Sequence, residues 1–502
     1  MCIHSEIDTD ALWESITVSE ALSLGLPLSR IKLMGKQKLT VKDLAVIDFP
    51  SEVSRSLSLN IMNRHFKHTP NDEKLTLIAH VLEQPELYVD HTTLGVLAQK
   101  LISKTIINEP YKVYVLEDEP RHFDIFGNKQ IEVNAVKQME LAMRLPVSEK
   151  GALMPDAHQG YGLPIGGVLA TRNAVIPYGV GMDIGCRMAL SIFDLPGTYV
   201  ERHAYELKKA LQEQTHFGND GGLELSQEHE VLDAPAFQET ELLRRLHGKA
   251  VRQLGSSGSG NHFVEFGIVA LEEDNRLGLP GGSYAALLSH SGSRSLGANI
   301  AQHYTKVAMS KCKLPQEAKH LAWLDLNDEA GEEYWRAMNL AGDYAKACHD
   351  RIHVNLSNAL GLTVIRTIEN HHNFAWKEKL YDGNEYVVHR KGATPAAGGV
   401  LGIIPGSMTA PGYIVMGMGN DSSLNSAAHG AGRKMSRQKA KNSITVSSMK
   451  KIVQSEKVTL IGGSPEEAPI AYKDIDLIMK SQTTLVNVEG KFYPRIVRMA
   501  KD

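Results

Sequence analysis

The sequence predicts a protein that mixes helices and strands and that divides into two parts of different character. Residues 1–105 contain few glycines and carry apolar residues at helical spacing, which predicts helices over 43–59, 72–87 and 92–106. From Tyr111 onward, short apolar stretches between glycines and prolines predict strands, and longer helical patterns separate them. We therefore expect a mainly helical accessory segment over 1–105, for docking or recruitment, and one larger domain over 106–502.

The elements of the larger part can be predicted in chain order. Residues 111–117 alternate β-branched and aromatic residues with polar ones, which is typical of a strand. Apolar residues at steps of three and four predict helices over 128–145, 200–213, 240–254, 298–312, 331–360 and 465–479. Strands are expected over 386–392 and in the C-terminal tail. Cys348 falls on the apolar face of the helix 331–360, so we expect it to be a small buried apolar residue.

Composition excludes several classes of protein. The net charge is −4 over 502 residues, so the chain as a whole is not a polycation. The four cysteines are far apart and form no CxxC pair, which argues against a disulfide scaffold and for a reducing compartment. The N-terminus has no signal-peptide pattern, and no window approaches the roughly 18 apolar residues of a membrane span. We expect a cytoplasmic protein.

The stretch PYGVGMDIGCRM, residues 177–188, is a candidate metal corner. It holds Asp183 and Cys186 three residues apart, among glycines that let the backbone turn tightly. A thiolate is a soft ligand and a carboxylate is a hard one. Together with imidazole they suit a divalent transition ion such as Zn, Mn, Fe or Co.

Histidines in other loops could complete that corner. His262, His290 and His372 lie in stretches with no regular-structure reason to hold a histidine, although each alone is weak evidence. Together with Asp183 and Cys186 they suffice for one complete ion site, or for a two-ion cluster bridged by the thiolate. Their wide separation in sequence is normal for a catalytic metal site and unlike a small structural zinc module.

Two glycine-rich loops could bind an anion. GSSGSGN, residues 255–261, and HGAGR, residues 429–433, offer backbone N–H groups, and Arg433 could add a bidentate phosphate contact. Neither loop fits the P-loop pattern. His429 is flanked by alanine and glycine, so its ring is accessible. It could attack a phosphorus centre as a nucleophile, or it could merely hydrogen-bond a turn.

Many motifs together resemble those of the RtcB RNA ligases, in the order of that family and over roughly residues 110–502. They are MPDAHQGYGLPIGG, DIGC, GSGNHFVE, HSGSRSLG, HHNFA, HRKGAT, PGSM, HGAGRKMSR and EEAPIAYKDID. The resemblance implies an α+β fold with a single large catalytic domain. It also implies joining of RNA 2′,3′-cyclic phosphate or 3′-phosphate ends to 5′-OH ends, with GTP and two Mn²⁺ ions, in RNA repair or tRNA splicing.

The resemblance also implies roles for individual residues. Asp183, Cys186 and His262 would bind one Mn²⁺. Cys186, His290 and His372 would bind the second, with the thiolate as the bridge. His429 would become guanylylated. The implied nucleotide contacts are Asn261, His262, Phe263, Val264, Glu265, His372, Asn373, Pro405, Gly406, Ser407, Met408, Gly412, His429, Gly430, Ala431, Gly432 and Lys501.

The chain departs from the family at two places near the implied nucleotide. Many members have GSMGTASY where this chain has GSMTAPGY, so Gly412 stands where a serine is expected. The chain ends in RMAKD where many members end in a VKG-like tail, so Lys501 is the equivalent of their lysine only by position.

Three other functions are compatible with parts of the pattern. They are a metal-dependent phosphoesterase that opens cyclic phosphates without ligation, a non-catalytic RNA-binding protein, and a Cys–His hydrolase. The last leaves Asp183 and the loop histidines unexplained. For an RNA ligase, the cations expected to line an RNA groove are Arg187, Arg294, Arg390, Lys391, Arg433, Lys434 and Arg437. Lys434 and Arg437 could instead belong to a solvated helix face.

Overall fold

The structure is a computed structural model that describes residues 38–49, 52–89, 91–102, 111–218 and 226–500. It divides into two compact units, Met1–Pro110 and Tyr111–Asp502. Both helices and strands are present, which confirms the expected α+β class. No helix within the described residues is long and apolar enough to cross a membrane.

The described part of the first unit is helical. Its helices are α1 (Glu52–His65), α2 (Asn71–Glu83) and α3 (Gly95–Ile102). They pack around a core that includes Met62, Ile78, Val81 and Leu97. The helix predicted over 43–59 is wrong at its start, because a short 3-10 turn at Asp43–Val46 precedes α1. Pro50 lies between the two in sequence, and a proline disfavours helical backbone in the residue before it. Residues 1–37 and 103–106 of the predicted accessory segment lie outside the described residues.

The second unit holds all the other described helices and strands. Its helices are α4 (Val133–Met143), α5 (Pro177–Val180), α6 (Thr198–Arg202), α7 (Ala204–Gln214), α8 (Glu241–Gln253), α9 (Arg294–Lys311), α10 (Glu329–Leu360), α11 (Arg437–Ser443), α12 (Val446–Ser455) and α13 (Ile475–Lys480). The predicted helices 240–254 and 331–360 correspond closely to α8 and α10. Helix α8 begins where the Thr240 hydroxyl accepts a hydrogen bond from the backbone N–H of Leu243.

Nineteen strands are found in the described residues, all of them in this unit. They are β1 (Lys112–Val113), β2 (Asp124–Ile125), β3 (Ser148–His158), β4 (Ile165–Thr171), β5 (Ala174–Val175), β6 (Arg187–Pro196), β7 (Phe263–Leu271), β8 (Gly282–Ser291), β9 (Cys312–Lys313), β10 (Leu324–Asp325), β11 (Val364–His371), β12 (Asn373–Lys379), β13 (Glu385–Lys391), β14 (Ala393–Pro395), β15 (Leu401–Ile404), β16 (Gly412–Gly417), β17 (Ser426–Ala428), β18 (Thr459–Ile461) and β19 (Val486–Met499).

The larger sheet closes on itself through one side chain. Its strand order is β11-β6-β8-β7-β19-β16-β15, and β18 pairs with β19 outside this path. The Asn370 amide, on the terminal strand β11, donates to the carbonyl of Ile403 and accepts from its N–H, on the opposite terminal strand β15. The enclosed core draws residues from seven strands, among them Met188, Leu288 and Phe492. The result is a barrel-like sheet with a packed interior.

The outer face of this sheet packs against helices. Helix α10 lies over β6 and β8, and its Cys348 side chain is fully buried as predicted. Two histidines of α10 fasten the helix to the sheet. His349 and His353 both hydrogen-bond the hydroxyl of Ser289 on β8, at 2.6 and 2.7 Å. Buried polar groups that are all hydrogen-bonded fix the register of a helix against a strand.

A second sheet has the strand order β12-β13-β4-β3-β2, and a single residue links its strand β12 to strand β11 of the barrel-like sheet. His372 separates β11 of the barrel-like sheet from β12 of the second sheet. A two-stranded ladder of β14 and β17 lies beside this junction, and Ala428 at the end of β17 pairs with Ala393. The chain therefore brings two sheets and a ladder to one place, where His372 and His429 follow directly on strand ends.

Candidate metal centre and adjoining cavity

The antiparallel register of the barrel-like sheet brings the predicted metal ligands to one of its ends. Cys186 directly precedes β6, and the first residue of that strand pairs with Ser291. His290 lies on β8 opposite Phe263, the first residue of β7, so His262 comes just before that pair. His371 pairs with Arg187, which places His372 beside Cys186. Residues far apart in sequence thus converge because β6 and β7 begin, and β8 and β11 end, at the same end of the sheet.

Cys186 lies at the centre of this group. Its Sγ atom is 3.3 Å from Nε2 of His262 and 3.2 Å from Nε2 of His290. The Nε2 atoms of His290 and His372 are 3.2 Å apart. Nε2 of His262 lies 2.9 Å from a carboxylate oxygen of Asp183. All five predicted metal-binding residues are therefore brought together.

The donor atoms fall into two sets that share the thiol. Asp183, Cys186 and His262 offer ligand atoms within 4.8 Å of one another, and so do Cys186, His290 and His372. The first set combines a carboxylate, a thiol and an imidazole, and the second a thiol and two imidazoles. These donors fit divalent transition ions, so the residues present are suited to hold two of them. The sequence left open whether these residues bind one ion or two. The structure shows two adjoining donor sets that share the thiol of Cys186.

The buried histidines of this group are in the neutral form that a metal ion requires. Burial lowers the pKa of His290 to about 3 and holds the pKa of His372 well below its usual value, so both rings are neutral at physiological pH. The Nδ1 atom of His290 lies 3.0 Å from the Asn261 carbonyl and donates to it, which leaves the Nε2 lone pair directed at the cluster. Burial, reinforced by Asp183, raises the pKa of the Cys186 thiol. A bound cation would reverse this effect and favour the thiolate.

One glycine is required for the position of Asp183. A β-carbon placed on Gly292 would lie 2.1 Å from a carboxylate oxygen of Asp183, closer than any real contact. The missing side chain of this glycine, in the HSGSR motif, therefore provides the space that the Asp183 side chain occupies. This is a close approach of backbone to a functional group, which only glycine permits.

His429 lies next to the cluster and is held by the carboxylate of Asp156, a residue to which the sequence motifs gave no role. The ring centroids of His429 and His372 are 5.0 Å apart. Nδ1 of His429 donates to Oδ2 of Asp156 at 2.6 Å, and the backbone N–H of His429 donates to the same oxygen at 3.1 Å. Because a carboxylate only accepts, Nδ1 carries a proton, and Nε2 is the ring nitrogen that Asp156 does not engage. The MPDAH motif contains Asp156, but no local spacing links that residue to His429.

A close backbone contact keeps Asp156 in place. Gly432 has a φ of +70°, a backbone conformation that suits glycine. A β-carbon there would lie 2.2 Å from the carbonyl oxygen of Asp156. The glycines of HGAGR thus serve the approach of one loop to another, in addition to any anion that their N–H groups bind.

One cavity of about 490 Å³ joins the cluster to His429. That volume is within the range of small-molecule sites, which is roughly 300–1,000 Å³. Cys186, His290 and His429 all line it, and Met408, Val497 and Met499 are among its apolar lining residues. Burial raises the pKa of Glu265, whose carboxyl group also lines the cavity. A ligand with an apolar ring system and a charged end fits this division.

Most of the expected nucleotide-contacting residues line this cavity. They are Asn261, His262, Phe263, Glu265, His372, Asn373, Pro405, Gly406, Ser407, Met408, Gly412, His429, Gly430, Ala431 and Gly432. Val264 is not among the lining residues. Its side chain is fully buried on the outer face of the sheet beside Phe266 and Leu287, because alternate residues of β7 point to opposite faces. Lys501 lies outside the described residues.

Most of the cations expected along an RNA groove are engaged in internal contacts instead. Arg187 is buried against Glu369, and Arg294 donates to Ser256 and to the carbonyl of Gly218. Arg390 is 1% exposed and forms a bidentate pair with Glu378, at 2.6 and 2.9 Å. The groove predicted from these arginines is wrong, because sequence position does not reveal that each arginine is itself buried and engaged.

Two further cations of the predicted groove, Arg433 and Lys391, are also engaged. Arg433 pairs with Glu467 at 2.9 Å and donates to the Glu466 carbonyl. The prediction that Arg433 is a free bidentate phosphate donor is therefore wrong. Lys391 is buried and donates to the carbonyls of Tyr161 and Tyr178. Burial lowers the pKa of Lys391 to about 7. Of the predicted groove residues, only Lys434 and Arg437 are exposed.

Comparisons with known proteins agree with the motifs. The family model described as tRNA-splicing ligase RtcB matches residues 138–243 and 225–499. The chain is 32% identical over 392 residues to the RNA-splicing ligase RtcB of Escherichia coli strain K12, covering 71% of this chain and 92% of that protein. It is 29% identical over 443 residues to the tRNA-splicing ligase RtcB of Nanoarchaeum equitans, covering 74% and 91%. For the tRNA-splicing ligase RtcB of Methanococcus maripaludis the identity is 31% over 422 residues, covering 70% and 88%.

The shared thiol predicts how the centre responds to a single substitution. In C186S, both donor sets lose the thiolate, so binding of Co²⁺ should weaken strongly at both and the cobalt–thiolate charge-transfer absorption should disappear. The matched control is C348S, which changes a buried cysteine outside the cavity and should keep the absorption. A charge-transfer band that persists in C186S would show that another group binds the ion.

Proposed function

The chain belongs to the RtcB family, and from that membership and the geometry of the site we propose that it is a GTP- and Mn²⁺-dependent RNA ligase. It would join RNA 2′,3′-cyclic phosphate or 3′-phosphate ends to 5′-OH ends, in RNA repair or tRNA splicing, through a histidine–GMP intermediate. The observation that carries this proposal is the position of His429. It lines the same cavity as the two donor sets that share Cys186, and Asp156 holds its ring through Nδ1.

The donor sets would hold the ions. Asp183, Cys186 and His262 would bind one Mn²⁺, and Cys186, His290 and His372 would bind the other. When bound, the ions would neutralise charge on the phosphates and on the departing pyrophosphate. The protein contributes fixed, neutral imidazoles and a water-poor wall, so the phosphate groups of GTP would lie in line with His429.

The first step would be attack by His429 on the α-phosphorus of GTP. The Nε2 lone pair forms the new P–N bond as the P–O bond to pyrophosphate breaks. The proton on Nδ1 stays between the ring and Asp156, so the positive charge that develops on the imidazole faces a carboxylate 2.6 Å away. Asp156 is fully buried, which keeps this interaction strong.

Two further transfers would complete ligation. A cyclic phosphate end is first hydrolysed to a 3′-phosphate. An oxygen of that phosphate attacks the GMP phosphorus, and His429 leaves with its lone pair restored. The 5′-OH then attacks the activated 3′-phosphate, loses its proton, and GMP departs as the new phosphodiester forms. Each transfer takes place at a phosphorus within reach of the same cavity.

The nucleophile can be tested without RNA. Incubation with Mn²⁺ and GTP labelled at the α-phosphate should give an acid-labile, base-stable protein–GMP adduct, because a P–N bond to histidine has those properties. H429A should remove the adduct, and H203A, which changes a histidine outside the cavity lining, should retain it.

Two results would count against the proposed chemistry. An adduct that survives in H429A would assign the nucleophile to another residue. Hydrolysis of a 2′,3′-cyclic phosphate with no adduct from any nucleotide would favour a phosphoesterase.

Asp156 should affect the rate of this step and not the binding of metal. In D156N the side chain keeps its size but loses the charge that faces the His429 ring, so adduct formation should slow by about 100-fold or more. The measurement is the single-turnover rate of adduct formation at saturating GTP. The affinity for Mn²⁺ should stay near that of the unsubstituted protein, because Asp156 belongs to neither donor set. A rate equal to that of the unsubstituted protein would show that Asp156 does not assist His429.

A further inference from the structure

The helices α11 and α12 and the residues that flank them carry a concentrated positive charge. Residues 434–457 contain seven lysines and arginines and a single acidic residue, Glu456, which gives this segment a net charge of +6. The whole chain has a net charge of −4. So many cations in 24 residues repel one another unless an external anion accompanies them.

Five of these seven cations have no carboxylate counterion among the described residues. Arg437 and Lys441 pair with Glu466 on the neighbouring loop, at 3.4 and 3.1 Å. The ammonium groups of the other five are exposed, and no carboxylate of the described residues lies within ion-pair distance of them. They are Lys434, Lys439, Lys450, Lys451 and Lys457. We call these five the basic face.

The basic face lies directly behind one wall of the cavity. On the inner side of α12, Met449 and Val453 are buried in one cluster with Met408, Val497 and Met499, three of the apolar residues that line the cavity. Lys450 and Lys451 on the same helix are exposed. A helix with its side chains is about 10 Å across, so these lysines are separated from the cavity by about one helix diameter.

A second contact links the basic segment to the mouth of the cavity. The Arg437 side chain lines the cavity and lies beside Gly260, in the loop that carries Asn261 and His262. The cations around the metal centre itself are mostly engaged, as Arg390, Arg433 and Lys391 show. A polyanion whose end enters the cavity would therefore find free cations on the basic face.

We propose that the basic face of α11 and α12 binds the phosphate backbone of the RNA whose end enters the cavity. This inference rests on the proposed function, since it takes RNA as the substrate. Lysines provide unspecific phosphate contacts that position a strand without reading its bases. The observed arrangement suits that role, because five exposed ammonium groups lie within one short segment and outside the cavity lining.

Neutralisation of two adjacent lysines provides the test. In K450Q/K451Q, two phosphate contacts are lost, and each is worth a slope of about 0.7 in a plot of log K against log salt for a single strand. The slope should therefore fall by about 1.4, and affinity at 0.1 M salt should fall about 25-fold. Binding is measured by fluorescence anisotropy with a 3′-phosphate RNA oligonucleotide between 50 and 200 mM salt, without GTP.

The matched control is K208Q/K209Q, which removes an adjacent pair of exposed lysines from α7. Neither residue lines the cavity, and the control should leave the slope and the affinity unchanged. Adduct formation from GTP involves no RNA, so K450Q/K451Q should form the adduct at the same rate as the unsubstituted protein. A selective loss of RNA binding and ligation in K450Q/K451Q would support the proposal.

Three results would overturn it. RNA affinity and salt slope could be unchanged in K450Q/K451Q, which would assign the basic face to something other than RNA, such as an acidic protein. Both lysine pairs could weaken binding equally, which would show diffuse attraction only. Adduct formation could fall together with RNA binding, which would show that α12 acts by shaping the cavity wall. If the unsubstituted protein forms no adduct, the proposed function fails, but the comparison of RNA binding is still decided by the first two results.

Discussion

The contact of the Cys186 sulfur with two imidazole nitrogens, at 3.2 and 3.3 Å, is the interaction on which the rest of the site depends. A thiol, a carboxylate and three imidazoles are unfavourable neighbours in a buried place unless something positive lies among them. Burial already keeps His290 and His372 neutral. Two divalent ions that share the sulfur as a thiolate would satisfy all five donors, so the arrangement is explained by the ions it is suited to hold.

The fold is built to hold that contact in place. Cys186, His262 and His372 flank strands of the barrel-like sheet and His290 lies near the end of β8. The sheet is closed by the Asn370 side chain, directly before the His371–His372 pair. Behind the sheet, His349 and His353 fasten α10 to Ser289, the residue next to His290. His429 comes from a different ladder and is fixed by Asp156 of the second sheet. His429 and the donor sets are therefore positioned by separate scaffolds that meet at His372.

The sequence predicted the parts of this site that are local. Glycine-rich stretches and predicted loops marked Asp183, Cys186, His262 and His372, and the periodicity of residues 331–360 placed Cys348 in the core. His290 was also expected in a loop, but it lies within β8. The partners of buried groups could not be predicted, because they are set by tertiary packing. Asp156 is 273 residues from His429, and Glu378 conceals Arg390, so neither pairing has a local signal. The orientation of Val264 could have been predicted from sequence, since side chains alternate along β7 and Val264 therefore faces the side opposite to Phe263.

The most direct test of the shared thiol is to locate the ions. Crystals of the protein with Mn²⁺ should show two anomalous peaks at the manganese absorption edge, about 3.5–4 Å apart. Both should be bound by the Cys186 sulfur, one together with Asp183 and His262 and the other with His290 and His372. A single peak, or two peaks of which either is not bound to Cys186, would contradict the account.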